Sequence, residues 1–369
     1  MSREIIKLAS LHVPFDTRIF QKEAKSLQNN GFDVSIIVPH EKDEVVDGIK
    51  IIAVPQPQSG FKRLTKTLFQ IFLKAFKQNK KAIIHVHDSE LLLYALLLKI
   101  LGRKVVYDAH EDTPRQMMYQ HWIPMLLRRP VSIFYYILEK VCGYCFDAII
   151  IAEPIIGRYF PTKKTILVRN FVKVNEQEIT NARSYLDREN IITYIGGITE
   201  PRGASVMIKA LEHVKTKNTK FYLGGSFHPK SLHKKLSDYP TWDMVNYLGW
   251  VNRKKVYEIL NESRIGIIIP EPNPRYTTNY PVKLFEYMEA GIPVIASKKG
   301  ISKDFVDESN CGILVDPLDT QEIGRAIDYL LSNEKEAENM GIKGRELIIS
   351  KYNWSSEEKK LVDLYNSLG

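Results

Sequence analysis

The segment Asn279-Tyr-Pro281-Val-Lys283-Leu284-Phe-Glu286-Tyr-Met-Glu289-Ala-Gly291 places a cation and a carboxylate near the start of an expected helix. Pro281 stands where a helix begins and Gly291 where one ends. A lysine in a first helical turn opposes the helix dipole, so Lys283 points to an anion nearby. Glu286, one turn on, could accept hydrogen bonds from two vicinal hydroxyls, as on a ribose. An ordinary helix with exposed charges would read the same way. A second segment, Tyr194-Ile-Gly196-Gly197-Ile-Thr-Glu-Pro-Arg202-Gly203, follows a strand pattern and precedes a helical one. Its glycines let backbone approach a ligand, the next helix offers free N–H groups, and Arg202 can fork onto phosphate oxygens. A tight turn with a solvated arginine is the alternative.

In the first half, Val105-Val-Tyr-Asp108-Ala-His110-Glu111-Asp112 gathers ionisable groups at the end of a strand pattern, where a cleft would be. His110 could donate or accept near a sugar hydroxyl or a phosphate. Asp112 or Thr113 could equally cap a helix from Pro114. His85-Val-His87-Asp88 ends the preceding strand. This histidine pair lacks the paired carboxylates that a hard cation wants. Asp88 or Ser89 therefore reads as a helix cap, and no metal site is expected. The loop Ser10-Leu-His12-Val-Pro14-Phe-Asp16-Thr17-Arg18 follows the first strand. His12, Asp16 and Arg18 could line an acceptor site, or Asp16 or Thr17 could cap the next helix. Cys142-Gly-Tyr-Cys145 has redox-like spacing but sits in an apolar helical pattern without a second ligand pair, which favours packing.

These clusters need strands to carry them. Strand-like apolar runs at 5–9, 34–38, 49–54, 82–86, 104–107, 148–151 and 165–168 alternate with helical patterns such as 17–30, 62–79, 89–100 and 128–145. The pattern pauses over the polar stretch 170–190. It restarts with strands at 191–195, 220–223, 245–248, 265–269, 294–296 and 312–315, and with helices at 203–215, 253–262, 282–290, 319–332 and 336–350. Alternation of this kind predicts parallel sheets with helices on both faces. The restart predicts two α/β domains, 1–170 and 171–353, followed by an amphipathic helix at 354–369. Loops at the C-terminal strand ends would form ligand crevices.

Composition sets the outer limits. A length of 369 residues with 44% hydrophobic and 26% charged side chains predicts a soluble globular chain of two domains. The net charge of +9 attracts polyanions, anionic lipid or phosphorylated substrates, and no nucleic-acid motif accompanies it. Three cysteines imply no secreted disulfide framework. No apolar stretch reaches the roughly 20 residues of a spanning helix. The first residues read as a strand and not as a signal peptide, so a cytoplasmic protein is expected. Two basic, aromatic-rich segments, 61–80 and 122–145, could lie against the inner face of the cell membrane. They could also be helices with their apolar faces on the core. No Gly-x-Gly-x-x-Gly follows the first strand, which argues against an NAD enzyme.

Together these segments resemble the retaining glycosyltransferase family four, of the GT-B fold. The most specific likeness is Pro281-Val-Lys-Leu-Phe-Glu286-Tyr-Met-Glu-Ala-Gly291-Ile-Pro-Val-Ile-Ala. Others are the Gly196 to Gly203 segment, Tyr247-Leu-Gly249-Trp250-Val251, Asp16-Thr-Arg18-Ile-Phe, Tyr-Asp-Ala-His110-Glu111 and Tyr352-Asn-Trp354. The resemblance implies two Rossmann-like, doubly wound parallel-sheet domains facing a cleft. The N-terminal one would serve the acceptor and the C-terminal one the nucleotide sugar, with the last helix packing back on the first domain.

The same resemblance implies a metal-independent transfer, with retention, of a hexosyl or HexNAc group. The donor would be UDP- or GDP-linked, and the acceptor a lipid-linked saccharide of capsule, O-antigen or exopolysaccharide synthesis. No cofactor is implied. Glu286 matches the second glutamate of the family's Glu-x7-Glu motif, and the first falls at Thr278. Arg202 and Lys283 would face the diphosphate, with Gly196, Gly197 and Leu284. Trp250 and Val251 would flank the base. His110, with Glu111 beside it, would lie near the transferred sugar, and His12, Asp16 and Arg18 on the acceptor side. A GT-B-fold nucleotide-sugar epimerase, or a catalytically degenerate partner subunit, would share these features.

Overall fold

The structure is a computed structural model and describes residues 3–120, 123–174, 183–272 and 280–369. It divides into two compact units, Met1–Asn170 with Trp354–Gly369, and Phe171–Asn353.

In the first unit, short runs of Ile and Val form strands buried on both faces, as parallel sheets require. They are β1 (Glu4–Leu8), β2 (Asp33–Pro39), β3 (Glu44–Val46), β4 (Ile49–Val54), β5 (Ile83–Val86), β6 (Lys104–Ala109), β7 (Ala148–Ile151) and β8 (Thr165–Leu167). The sheet order is β3-β4-β2-β1-β5-β6-β7-β8, and only β3 runs antiparallel to its neighbour. That hairpin turns at Asp47-Gly48, both at positive φ, which suits the twist of two adjoining strands. Strand alternation sends Ile6 and Leu8 into one core and Ile5 and Ala9 into another. The first core is roofed by α2 (Leu68–Lys77), α3 (Leu92–Ile100) and α4 (Met125–Cys145). Over the second lie α1 (Lys25–Asn29), entered through a π-helical turn Thr17–Ala24, and the terminal helix Trp354–Leu368. Trp354 is fully buried there and its Nε1 donates to Ser26 Oγ at 2.8 Å.

The second unit repeats the plan. Its strands are β9 (Ile191–Ile195), β10 (Lys220–Gly224), β11 (Val245–Gly249), β12 (Ile265–Ile268), β13 (Val294–Ser297) and β14 (Gly312–Val315). The order is β11-β10-β9-β12-β13-β14, parallel throughout. Helices between them include α5 (Ala204–Ala210), α6 (Arg253–Glu262) and α7 (Val282–Glu289). In both sheets the strand order reverses beside the unit's first strand, between β1 and β5 and between β9 and β12. Loops leaving the carboxyl ends of such strands diverge to opposite faces and open a crevice. The two-sheet α/β reading of the sequence therefore holds. Among the described residues no helix is long and apolar enough to cross a membrane.

Candidate functional site

The second unit's crevice is built from glycines. The chain leaving β9 passes Gly196 at φ 146°, and a Cβ there would lie 2.3 Å from Lys283 Cε. Glycine at that position lets the lysine lie across the loop. Gly203, at φ 85°, caps the turn after Arg202, and a Cβ on it would strike the Ile269 carbonyl oxygen at 2.3 Å. Next door, Gly225 N–H donates to Gly249 O at 2.6 Å, which ties the ends of β10 and β11 together.

Helix α7 is held by one face. Leu284, Phe285, Tyr287 and Met288 are buried at helical spacing, and Tyr287 Oη donates to Thr193 O at 3.3 Å. That packing leaves Lys283 and Glu286 on the other side. The Lys283 ammonium stands 5.2 Å over the Tyr194 ring. Burial and the Arg202 charge push its pKa down to about 8, against the pull of Glu286. Among the described residues no carboxylate pairs with Lys283. Glu286 instead accepts from Arg253, at the start of α6, whose own Nη2 donates to Tyr257 Oη at 3.0 Å. Lys283 thus feels Arg202 as a like charge, while Glu286, the carboxylate that would offset it, is taken by Arg253. A diphosphate is the kind of ligand that answers such an excess of positive charge.

The first unit's crevice is built from ion pairs. Asp88, at the end of β5, accepts from Ser10 N–H at 2.5 Å and Leu11 N–H at 3.0 Å and pairs with His12 at 2.9 Å. Burial works against a charged His12, but the Asp88 hydrogen bond and charge outweigh it and push its pKa up to about 9. His12 is therefore a cation at neutral pH. Its ring meets that of His110 edge-on at 5.2 Å. His110 Nδ1 donates to the Asp108 carbonyl at 3.1 Å, which fixes the direction of the ring.

Beneath this pair lies a buried charge network. Arg18 Nε and Nη2 donate to the two oxygens of Asp108 at 2.8 Å each. Lys7 Nζ donates to Glu23 at 2.6 Å, His85 Nδ1 at 2.9 Å and His87 Nε2 at 3.2 Å. With its Nε2 accepting, His87 carries its proton on Nδ1 and donates to Asp108 at 3.1 Å. The Tyr365 hydroxyl, on the terminal helix, lies 2.6 Å from the same His85 Nδ1. Glu23, His85, His87 and Asp108 offer ligand atoms within 4.8 Å of one another, as a metal site would. The Lys7 ammonium already stands among them and supplies the positive charge a metal would bring. Two cations thus meet two carboxylates, and both histidines are held neutral, their pKa values pushed well down by burial and by Lys7.

Several sequence expectations change in this light. Arg18 is not an acceptor-side group: its guanidinium is buried and forked onto Asp108. The Leu284 side chain is fully buried in the second core, so only its backbone can face a donor. Asp88 does not cap the helix after β5; it reaches back to the first loop. Asp16 does cap, accepting from Arg18 N–H and Ile19 N–H, and Asp112 accepts from Arg115 N–H. Glu111 is exposed beside His110. Trp250 is exposed, and Val251 packs against the end of β10 at Gly224. Cys142 is buried and Cys145 exposed, both unbonded. Thr278 and Trp122 lie outside the described residues. Sequence reasoning missed Arg253, although a cation opening α6 carries the same dipole signal as Lys283. It also missed Lys7 and Glu23, and that Asp108 of the noted cluster pairs inward with Arg18.

A parallel sheet with reversed strand order in each unit, one of them opening on a crevice lined by glycine, is the architecture of the GT-B fold. Residues 18–160 match the family described as Glycosyltransferase Family 4, and residues 175–347 the one described as Glycosyl transferases group 1. Between them the two matches span most of the chain and mark it as a homologue of GT-B glycosyltransferases. It is 22% identical over 181 residues to an MMP alpha-(1->4)-mannosyltransferase of Mycolicibacterium hassiacum, a match covering 48% of this chain and 43% of that one. It is 21% identical over 92% of its length, and 94% of the other's, to an uncharacterized 41.2 kDa protein in the cps region of Klebsiella pneumoniae. The chain spans under half the length of the first two curated relatives it matches. In fold it is like Anabaena Alr3699/HepE, solved with UDP and glucose, at TM-score 0.73 and 13% identity over 99% of this chain and 100% of that one.

Proposed function

We propose that this protein moves a hexosyl or HexNAc group from a UDP- or GDP-linked donor to a saccharide carried on a lipid, with retention and without a metal, in surface-polysaccharide synthesis. One observation carries the reading: Lys283 lies across Gly196 beside Arg202, a pair of cations at the switch point of the second sheet. As the bond between the anomeric carbon and the phosphate oxygen breaks, negative charge grows on the leaving diphosphate. Lys283 and Arg202, already placed, stabilise that charge without reorganising. Glu286 accepts from the ribose hydroxyls, with Arg253 holding its carboxylate in place until they arrive. Trp250 offers an exposed ring to the base.

The acceptor oxygen bonds the anomeric carbon on the face the phosphate leaves, and its proton passes to the departing phosphate oxygen. His110 and the cationic His12 serve the acceptor and the transferred sugar. The relatives support this reading: one is named a mannosyltransferase, one comes from the cps region of Klebsiella pneumoniae, and one fold neighbour was solved with UDP and glucose.

The test is calorimetric titration with UDP- and GDP-sugars, followed by transfer to a lipid-linked saccharide. Substitution His110→Ala should lower turnover about 100-fold or more while leaving donor affinity within about twofold. Wild-type turnover in that variant, or no nucleotide binding by the parent protein, would overturn the reading.

A further inference from the structure

Two adjacent glycines bring an amine and a guanidinium over one short stretch of backbone. A Cβ on Gly196 would lie 2.6 Å from Lys283 Nζ, and one on Gly197 would lie 2.7 Å from Arg202 Nη1. The groups that face the amine are Arg202 from the turn after β9, Glu286 one turn along α7, and the ring of Tyr194. Glu286 is held by Arg253, and among the described residues no carboxylate pairs with Lys283. A lysine set against a guanidinium and a desolvated wall gives up its proton early. At pH 8 about half of Lys283 carries a free electron pair, against under about 1% of a lysine at the usual value of 10.5.

Lys283 is therefore a nucleophile as well as a charge. An amine of this kind beside a phosphate-binding cation is the pairing that an acyl phosphate answers. That class of molecule joins a phosphate to an electrophilic carbonyl carbon. Arg202 can fork onto the phosphate oxygens. Helix α7 begins at Val282, one residue before Lys283, so its first-turn N–H groups add partial positive charge at the same place.

We propose that Lys283 is a site of acylation by acyl phosphates, with Arg202 holding the phosphate. The amine nitrogen bonds the carbonyl carbon. The bond between that carbon and the phosphate oxygen breaks, and its electron pair leaves with the phosphate. The surplus proton of the amine passes to that phosphate, so the products are an N-acyl lysine and inorganic phosphate. The acylated side chain is neutral and removes one cation from the crevice. That this turns sugar transfer down rests on the donor reading above; the acylation itself rests only on the crevice.

The test is incubation of the whole protein with acetyl phosphate at pH 8, with each lysine followed by peptide mass spectrometry. Lys283 should be acetylated at least about tenfold faster than Lys254, which is exposed on α6. Acetic anhydride, which has no phosphate, should show a smaller preference, and pyrophosphate should protect Lys283. Arg202→Ala should slow acetylation of Lys283 at least about fivefold, with the unfolding midpoint as the check on folding, and Arg202→Lys should restore part of it. Acetylation of Lys283 no faster than that of Lys254 overturns the proposal. So does an equal preference with both reagents, or a failure of pyrophosphate to protect, because the phosphate would then play no part. Nucleotide binding with an unreactive Lys283 sinks the acylation and leaves the donor reading standing. Protection by pyrophosphate but not by UDP or GDP supports the acylation and removes the donor reading.

Discussion

The two crevices use charge in opposite ways. In the first unit, Lys7 and Arg18 are answered by Glu23 and Asp108 inside the protein, and neutral histidines fill the gaps. In the second, burial and the Arg202 charge press on Lys283, among the described residues no carboxylate pairs with it, and Glu286 is taken by Arg253. A buried charge with a partner is structural, because losing the partner strands the other charge in a medium that cannot solvate it. A half-buried cation with no carboxylate is costly to keep, and a bound anion relieves that cost. The difference separates groups that hold the fold from groups that wait for a ligand.

Removing one partner from each crevice should break the comparison most sharply. Arg18→Ala leaves Asp108 buried without its fork and should destabilise the protein by about 3–5 kcal/mol in chemical unfolding. A loss below about 1 kcal/mol would mean the first network is not a paired structural core. Lys283→Ala should do the reverse. Unfolding stability should hold or rise, while affinity for UDP or GDP falls about 10- to 100-fold, the worth of one charge-assisted contact.

Acidity sharpens the same contrast. The folded protein holds the Lys283 proton less tightly than the unfolded chain does. Unfolding therefore takes up a proton between about pH 8 and the ordinary lysine value of 10.5, and ligand-free stability gains from this group as pH rises through that window. Nucleotide affinity should move the other way, steady below about pH 8 and then weakening by up to about tenfold per unit as the ammonium is lost. A Lys283→Arg variant should flatten the profile. If the parent profile is already flat, Lys283 does not meet the diphosphate.

The smallest effect belongs to Glu286, whose pair with Arg253 is partly in water. Glu286→Ala should cost little stability and weaken nucleotide binding about 5- to 10-fold, as one or two lost hydrogen bonds would. The loss should vanish when the parent and variant are compared on a 2′,3′-dideoxyribose nucleotide. An equal loss on that nucleotide would remove the ribose from the account.

Much of this was open to reading along the chain. Strand-like runs of Ile and Val, separated by helical patterns, marked both parallel sheets. The exception was β3, three residues long and too short to show a period. In the second crevice, Gly196, Arg202, Lys283 and Glu286 each stood out within a local window, because a glycine after a strand and a cation opening a helix are unusual side by side. The first crevice was less open. Arg18 read as an acceptor-side group and Asp88 as a helix cap until their distant partners were in view.

The sequence by itself determined where strands and helices alternate, because side-chain period and turn chemistry act between near neighbours. It also determined that a lysine would sit in the first turn of α7. Only the tertiary structure decided that Arg18 closes on Asp108, 90 positions away, that Arg253 takes Glu286, and that α4 turns Leu126 and Phe134 to the outside. Whether a charge binds inward or waits for a ligand depends on which remote groups share its desolvated space, and no local window of sequence contains that information.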